Sequence, residues 1–552
     1  MVRIQKLEIE LDAARAQVAW FHRQLFGQKA ERVPTKDLEA AFRQYVAEQE
    51  ARANNEAGTP LPLLETELSS IQLLMDFAVP DSSVHPKENE EQVDHPQANE
   101  TQEDTVVPPV SQPPSAPPSP PPKKKGHGRR RIPATLREEA IVIQPDEIPE
   151  GARQVGADVS YRVGIRRPEL VRFAIVRPKY AVDHIQEATT DIIVADPPHE
   201  MVPRGLFAPS GLAHIIAGRH DRSIPYHRLN RFFESADYPM AVSTLSGVAI
   251  RAVPLARDLV EAMQLYAQQV APYLAIDATG VLLQSPEACL RGHVWLRYIE
   301  NTCVLVSFTK THDAQSAGVQ LDGWSCPILA DGAQVYDAKL RETENERAGC
   351  WSHGRRKFVY AAPTDGRALV GVQLINQLFA IEREVLHTEA EHRLPVRIER
   401  SAPIIDELFR WRDDLLAHGN LGRSMLAKAL RYLKNQAQRL TYFLKDGRVP
   451  IHNNLTELQA RHLAIGRNNW LFFGSLAGAE ASCVWLSLVL SARMHRLDVE
   501  RYLRDLFRVL PLWPKTRILE LAPHRWKETR ARLDPLEMSR ELGNLTIPPQ
   551  IS

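Results

Sequence analysis

The sequence predicts an α/β domain with a helical insertion, within a longer multidomain chain. Three strand-like runs are followed by a helix-like stretch and a fourth strand: Tyr273–Ile276, His293–Ile299, Cys303–Phe308, Asp313–Leu321 and Pro327–Ala330. Asp277 follows the first run and Asp331 the fourth, while Glu457 lies on a later predicted helix. This order of strands and carboxylates is typical of an RNase H-like fold. The strongly helical residues 363–448 separate the second aspartate from the glutamate and are interpreted as an insertion.

Chain length and charge distribution indicate several units with different partners. At 552 residues the chain is too long for one hydrophobic core. Lys plus Arg and Asp plus Glu both total 68, but the charges are segregated. Residues 36–122 hold 16 acidic and 4 basic residues, which leaves 64 basic and 52 acidic residues elsewhere. A basic excess outside this segment suits a protein that binds nucleic acid.

Apolar runs and cysteines favour a reduced cytoplasmic protein. No run reaches the roughly 18 apolar residues of a membrane span, and Cys483–Leu490 is interpreted as a core helix. The chain does not open with a signal-peptide pattern. The cysteines contain no CxxC pair, so we expect no Cys-based zinc site. They are Cys289, Cys303, Cys326, Cys350 and Cys483.

The first 35 residues predict a coiled-coil-like helix that ends near Gly27. Its apolar residues alternate spacings of three and four, as in a coiled-coil seam. We expect this seam to mediate self-association, and the alternative is a single helix packed on its own domain. The seam consists of Ile4, Leu7, Leu11, Ala14, Val18, Phe21 and Leu25.

An acidic, Pro-rich linker over residues 36–122 is expected to be largely disordered. It ends in a basic arm, KKKGHGRRR, whose six cations suit contacts with DNA phosphates. The alternative is a run of charge that only aids solubility. The cations of this arm are Lys123, Lys124, Lys125, Arg129, Arg130 and Arg131.

Two modules precede the α/β domain. The alternating pattern up to residue 200 predicts a small β-rich module, and His184 and His199 cannot form a tetrahedral zinc site alone. Residues 201–270 are predicted to be helical, with a break at Tyr238-Pro239. A helix-turn-helix reader of DNA and a helical brace on the core both fit this segment. Its basic residues are Arg219, Arg222, His227, Arg228 and Arg231.

The residues around Glu457 allow two interpretations: a carboxylate that acts with Asp277 and Asp331, or a structural glutamate at a helix N-terminus. Asn453 and Asn454 are good N-cap residues, and Glu457 stands three positions after Asn454, as in a capping box. The role of Glu457 could therefore be structural. Arg461, four residues later, lies on the same helix face.

Together the patterns divide the chain into predicted units at 1–35, 36–122, 123–200, 201–270, 271–362, 363–448, 449–495 and 496–552.

Four segments carry a resemblance to a protein family. They are IDATG at Ile276–Gly280, LADGAQVYDA at Leu329–Ala338, CWSHGRRKF at Cys350–Phe358, and NNLTELQAR through GRNNWLFFGS at Asn453–Ser475. In this order they resemble bacterial transposases of the insertion-sequence sixty-six family, of the DDE class. The resemblance implies cleavage of insertion-element ends and transfer of the 3′ hydroxyl to target DNA. It also implies a nucleoid-associated homo-oligomer, in simplest form a dimer, that works with element-encoded helper proteins.

The resemblance assigns roles to individual residues. Asp277, Asp331 and Glu457 match the catalytic carboxylates, which would bind two Mg²⁺ ions, with Mn²⁺ as a substitute. The basic residues of the CWSHGRRKF motif and of the segment Asn453–Ser475 would hold DNA phosphates. These residues are His353, Arg355, Arg356, Lys357, Arg461 and Arg467. For those of CWSHGRRKF, the alternative is an exposed basic helix face.

Several residues depart from the family pattern. His452 and Ala278 stand where relatives carry acidic residues, Leu458 replaces an arginine, and Ala333 a tyrosine. The paired CxxC motifs of the family's zinc module are missing as well, so no zinc is expected. Two further hypotheses therefore stand beside an active transposase: an oligomeric DNA-binding relative without strand transfer, and a plain nuclease.

Neutralising the basic arm provides a test of its role. Replacing Lys123–Lys125 and Arg129–Arg131 by glutamine should weaken binding to every duplex and flatten its salt dependence, because phosphate contacts release counterions whatever the sequence. Exchanging lysine and arginine at the same positions is the control and should preserve both. Loss of preference for one sequence at an unchanged salt slope would contradict the assignment.

Overall fold

The computed structural model describes residues 132–550 except 134–135, 146, 150–151, 167–168, 185–188, 286–288 and 344. The predicted N-terminal helix, the acidic linker and the basic arm at Lys123–Arg131 lie outside the described residues.

A four-stranded sheet forms the first described part and agrees with the predicted β-rich character. The strands are β1 (Arg137–Val142), β2 (Arg153–Arg166), β3 (Glu169–His184) and β4 (Thr189–Val194). The long strand β3 pairs antiparallel with β2 and β4 and parallel with β1. Its buried face, with Phe173 and Ile175, is apolar, as expected for a sheet packed on one side.

Four helices follow and brace the central core. They are α1 (Pro209–His220), α2 (Tyr226–Glu234), α3 (Val242–Arg251) and α4 (Val253–Val270). The predicted break at Tyr238-Pro239 lies between α2 and α3. Leu212, Leu245 and Leu259 of these helices share one continuous apolar core with Ile276 and Trp295 of the second sheet. The helices therefore brace the α/β core, as one of the two sequence interpretations proposed.

The second sheet contains the predicted run of three strands, a helix and a fourth strand. Its elements are β5 (Leu274–Leu283), β6 (Leu290–Ile299), β7 (Cys303–Thr309), α5 (Ala314–Leu321), β8 (Ile328–Leu329), β9 (Arg347–Ala348) and β10 (Phe472–Phe473). The strand order is β7-β6-β5-β8-β9, with β10 also paired to β5. Strands β5, β6 and β7 are antiparallel neighbours, whereas β8 and β10 run parallel to β5 and β9 runs parallel to β8.

The region between Asp331 and Glu457 is mostly helical apart from strand β9, and residues 363–448 have the predicted helical character. A 3-10 turn at Gln334–Tyr336 and helices α6 to α12 occupy it, with a π-helical turn at Arg397–Ser401 and a 3-10 turn at Tyr442–Leu444. The helices are α6 (Asp337–Glu342), α7 (Trp351–Ala361), α8 (Ala368–Glu384), α9 (Ala390–Val396), α10 (Ala402–His418), α11 (Met425–Asn435) and α12 (Ala437–Leu440).

A buried arginine anchors this helical region. Arg397 is fully buried, and its guanidinium pairs with both carboxylate oxygens of Glu382 at 2.7 Å. It also donates to the carbonyls of Phe443 and Val449, each at 3.0 Å. A planar guanidinium can serve several acceptors at once, so it fixes the segment that leads towards Glu457.

The chain ends in five helices and one 3-10 segment. They are α13 (Asn454–Trp470), α14 (Leu476–Met494), α15 (Val499–Val509), the 3-10 segment Lys515–Leu521, α16 (Trp526–Ala531) and α17 (Pro535–Ser539). The predicted C-terminal helix is α15. The region predicted only as a tail is ordered, because Trp526 packs edge-on against Tyr502 and Arg530 pairs with Asp505.

Helix α14 covers the edge of the second sheet. Ser487 and Ser491 accept hydrogen bonds from the backbone N–H groups of Val306 and Val304, both at 2.9 Å. Four residues of helix rise about 6 Å, close to the roughly 6.7 Å that two residues of strand span. The spacing of the two serines along the helix therefore matches the spacing of the Val304 and Val306 N–H groups along edge strand β7. Although α14 is long and apolar enough to span a membrane, it is mostly buried, which agrees with its predicted role as a core helix.

Candidate functional site

Strand register places Asp277 and Asp331 side by side. Ala275 pairs with Leu329 in the parallel pair formed by β5 and β8. Each aspartate lies two residues beyond that pair, so both residues leave the same edge region of two adjacent strands, and paired strands are spaced about 4.8 Å apart. The Asp331 side chain accepts a bond from the N–H of Ala333 at 3.0 Å, which closes the turn after β8.

Asn453 brings the Glu457 helix to this edge. It is 2% exposed, and its side-chain N–H donates to the carbonyl of Ile276, the residue before Asp277, at 2.9 Å. Its own backbone N–H donates to the thiol sulfur of Cys350 at 3.3 Å. Glu457 follows in the first turn of α13, where its N–H bonds to the Asn453 carbonyl.

The capping-box interpretation of Glu457 is wrong. Asn453 is the N-cap residue, so Glu457 lies four positions after it, and the Asn453 side chain caps no N–H group of the helix. The Asn454 side chain instead accepts from Ser352 at 2.8 Å. The Glu457 carboxylate points towards α7, where Arg356 lies 3.4 Å from Oε2. Its side chain is therefore part of the cluster formed by α7 and the two aspartates.

The turn after Asp331 is held from two sides. Arg347 donates to the carbonyls of Asp331 and Ala333 and pairs with Asp337, which also receives Arg439 at 2.9 Å. On the other side the Tyr432 ring lies 2.8 Å from where a Cβ on residue 332 would stand. Close packing therefore requires glycine at position 332.

The three carboxylates lie within electrostatic reach of one another. The pKa of Asp277 is raised to about 7, mainly by burial and also by the like charges of Asp331 and Glu457, although the hydrogen bond from the Ala278 N–H and the charge of Arg356 both lower it. Burial, again helped by Asp331 and Asp277, raises the pKa of Tyr336. Three carboxylates that share one low-dielectric region repel each other, which opposes the ionisation of all three at once.

Cys350 and His353 were not predicted as neighbours of the carboxylates. Potential ligand atoms of Cys350, His353 and Glu457 all lie within 4.8 Å of one another. His353 Nδ1 is 3.8 Å from Glu457 Oε1. The C-x-x-H spacing at the start of α7 could have suggested this pair, because it places both residues on the first helical turn. The contacts of Asn453 with Ile276 and Cys350 could not be predicted, because the sequence shows only the preference of asparagine for helix N-caps.

Apart from the half-buried His353, the predicted phosphate-binding residues of α7 and α13 divide into two groups. Arg356 and Lys357 on α7 and Arg461 on α13 are exposed. Arg355 and Arg467 contact the protein itself: Arg355 donates to Asn376 at 2.6 Å, and Arg467 donates to Thr279 at 3.3 Å and to the Gly280 carbonyl. Burial also lowers the pKa of Arg355 to about 10. For these two arginines the contacts support a structural role, whereas Lys123–Arg131 lie outside the described residues.

The turn between α1 and α2 packs against α13. Arg219 lies over the Trp470 ring at 4.4 Å, and the carbonyls of His220 and Ser223 contact His462 and Asn469 at 2.7 and 3.2 Å. His227, Arg228 and Arg231 on α2 are exposed. The brace therefore positions the far end of the Glu457 helix.

Comparisons with known proteins agree with the motif resemblance. Residues 204–481 match the family model described as Transposase IS66 family, and residues 487–524 match the IS66 C-terminal element. Two similar proteins of Sinorhizobium fredii are uncharacterized protein y4hP, 27% identical, and uncharacterized protein y4qI, 26% identical. Each alignment covers 73% of this chain and 78% of the relative.

Replacing Asp277 should change how stability depends on pH. Its raised pKa means that the folded protein holds a proton between about pH 4 and 7 that the unfolded chain releases, so the metal-free protein loses stability as pH rises through this window. Asp277→Asn removes the titration and should stabilise the chelator-treated protein by about 2 kcal/mol at pH 8, with little effect at pH 4. Urea unfolding at both pH values measures this. Asp322→Asn, at an exposed carboxylate, is the control, and an equal effect of Asp277→Asn at both pH values would contradict the assignment.

Proposed function

Since the chain belongs to the IS66 family of transposases, we propose that it cleaves the ends of an insertion element and joins the freed 3′ hydroxyl to target DNA. The observation that carries this proposal is the convergence of Asp277, Asp331 and Glu457 on one side of the second sheet. Three carboxylates from two strands and a helix form an oxygen-rich site beside exposed cations. That combination suits phosphoryl transfer on a polyanion.

The strand order supports an RNase H-like catalytic domain. Three antiparallel strands followed by two strands parallel to the first give the order β7-β6-β5-β8-β9. We propose that residues 271–362 and 449–495 form this domain and that residues 363–448 are inserted into it. Both ends of the insertion return to the site, since Cys350 and Asn453 are in contact.

The residues present fit divalent metal ions. Glu457 Oε1 is buried without a hydrogen-bond partner among the described residues, and burial together with the neighbouring like charges opposes the ionisation of Asp277. We propose that Asp277, Asp331 and Glu457 hold Mg²⁺, with Mn²⁺ as a substitute. When bound, the ions would supply activation of the attacking oxygen and neutralisation of the scissile phosphate.

The protein's own groups would orient the DNA. Arg356 lies beside Glu457 and Lys357 is exposed on the same helix α7, so both could contact phosphates near the scissile bond. Arg467 keeps β5 and α13 together through Thr279 and Gly280. Burial at Asp277 limits water access, which strengthens electrostatic interactions with the substrate.

Partners of the enzyme follow from this activity. We propose that it binds double-stranded DNA at element ends and at the target, with the basic arm Lys123–Arg131 as a further contact. Because two ends must be joined to one target, a dimer through the N-terminal seam is the simplest active form. The bacterial cytoplasm is the compartment in which we expect it to act.

Single substitutions of the carboxylates test the proposed chemistry. Asp277→Asn, Asp331→Asn and Glu457→Gln should each reduce nicking and joining of labelled element ends by at least about 1,000-fold, because each loses a metal ligand or a charge. DNA affinity should be retained. Asp322→Asn and Glu342→Gln change carboxylates elsewhere in the domain and should remain active.

The same assay separates the alternatives. A wild-type protein that binds ends with Mg²⁺ or Mn²⁺ but never nicks them would support the binding relative without strand transfer. Nicking without joined products would support a plain nuclease. Full activity of Glu457→Gln, or activity in excess chelator, would contradict the proposed metal site.

A further inference from the structure

Glu457 divides its two carboxylate oxygens between different partners. Oε2 lies 3.4 Å from the Arg356 guanidinium, on the exposed side. Oε1 faces inward, 3.8 Å from His353 Nδ1, and the Cys350 sulfur completes a set of three donors within 4.8 Å. The inner side of Glu457 therefore meets an imidazole and a thiol, which differ from the oxygen ligands that Mg²⁺ prefers.

Two atoms of this set are buried without any hydrogen bond. His353 Nδ1 and Glu457 Oε1 have no partner among the described residues, although both are shielded from solvent. Burying such atoms unpaired costs about 1–3 kcal/mol each. The two atoms are too far apart to bond with each other, but at 3.8 Å they can both bind one ion at about 2.1 Å without moving.

We propose that His353 and Glu457 bind one transition-metal ion, such as the Mn²⁺ that can substitute for Mg²⁺, in a site that Cys350 completes for softer ions. This rests on the proposed function, because Glu457 is shared with the catalytic carboxylates. Imidazole nitrogen binds later divalent metals of the first row better than it binds Mg²⁺. Mn²⁺ accepts both carboxylate and imidazole, so the site should select Mn²⁺ over Mg²⁺.

The site lies beside the proposed catalytic carboxylates, so an ion bound there would affect the reaction directly. His353 is within electrostatic reach of both Glu457 and Asp331. An ion held by His353 and Glu457 would therefore lie at the edge of the carboxylate cluster nearest α7. The thiol of Cys350 accepts a bond from the Asn453 N–H, so its place is fixed by the same residue that positions Glu457.

The cluster also changes the expectation about zinc. The sequence contains no CxxC pair, and on that basis no zinc site was expected. Cys350 and His353 are three residues apart, whereas Glu457 comes from a different helix about a hundred residues later. A thiol, an imidazole and a carboxylate are ligands that Zn²⁺ accepts. Zn²⁺ should therefore compete with Mn²⁺ here, with Cys350 contributing only to the binding of Zn²⁺.

Pulsed EPR of Mn²⁺ bound to the full-length protein tests the site directly. We expect coupling to a directly bound imidazole nitrogen in the wild type. His353→Asn replaces Nδ1 by an oxygen at a similar position, so the coupling should disappear. In competition titrations, the preference of the His353→Asn protein for Mn²⁺ over Mg²⁺ should be at least about tenfold lower than that of the wild type. Even residues that only support a metal ligand typically contribute about this much to metal affinity.

Two variants serve as controls. His452→Asn alters a second imidazole near Glu457, one that stacks on Phe379 at 5.7 Å, and the nitrogen coupling should persist. Cys350→Ser should weaken the competition by Zn²⁺ and leave the affinity for Mn²⁺ unchanged. If His353→Asn fails to fold, His353→Gln retains a polar side chain of similar size and carries the same expectations.

The outcomes distinguish this inference from the proposed function. A protein that nicks and joins DNA but binds Mn²⁺ without nitrogen coupling, or with coupling that survives His353→Asn, would overturn the inference and leave the function intact. A protein that loses coupling only in the His353 variants but never cleaves DNA would support the site and contradict the proposed function.

Discussion

The buried side chain of Asn453 connects the segments on which the carboxylate cluster depends. Its amide N–H bonds to the carbonyl that precedes Asp277, its backbone N–H bonds to Cys350 at the start of α7, and its carbonyl begins α13. An unsatisfied buried carbonyl would cost about 1–3 kcal/mol, which is large compared with an exposed ion pair of about 0–1 kcal/mol. The close approach of Glu457 to Asp277 thus depends more on this neutral amide than on the charge of Arg356.

The surrounding fold makes that connection rigid. Ser487 and Ser491 fix the buried helix α14 to the edge strand, and Arg397 secures the end of the insertion to the segment that enters α13. On the far side, the α1–α2 turn holds the other end of α13 through His462 and Asn469. The helix that carries Glu457 is therefore supported at both ends, as a site built from separate chain segments requires.

Sequence patterns predicted the elements better than the contacts between them. Strands β5, β6 and β7 were predicted because their apolar runs are long, whereas the two-residue strands β9 and β10 depend on pairing partners distant in the chain. Asp277 and Asp331 could be found because each follows an apolar run. The capping-box alternative for Glu457 failed because helix α13 starts after Asn453, a one-residue difference that local propensity does not determine. The inward contacts of Arg355 and Arg467 could not be predicted either. The sequence pattern of an amphipathic helix is the same whether a basic residue faces a polar partner such as Asn376 or solvent.

The central claim is that Asp277, Asp331 and Glu457 form one metal site. Anomalous diffraction from crystals grown with Mn²⁺ and a DNA end measures this most directly. The account predicts two Mn²⁺ peaks about 3.5–4 Å apart, bounded by the three carboxylates. Anomalous peaks confined to other parts of the protein, with these carboxylates bound only to protein groups, would contradict it.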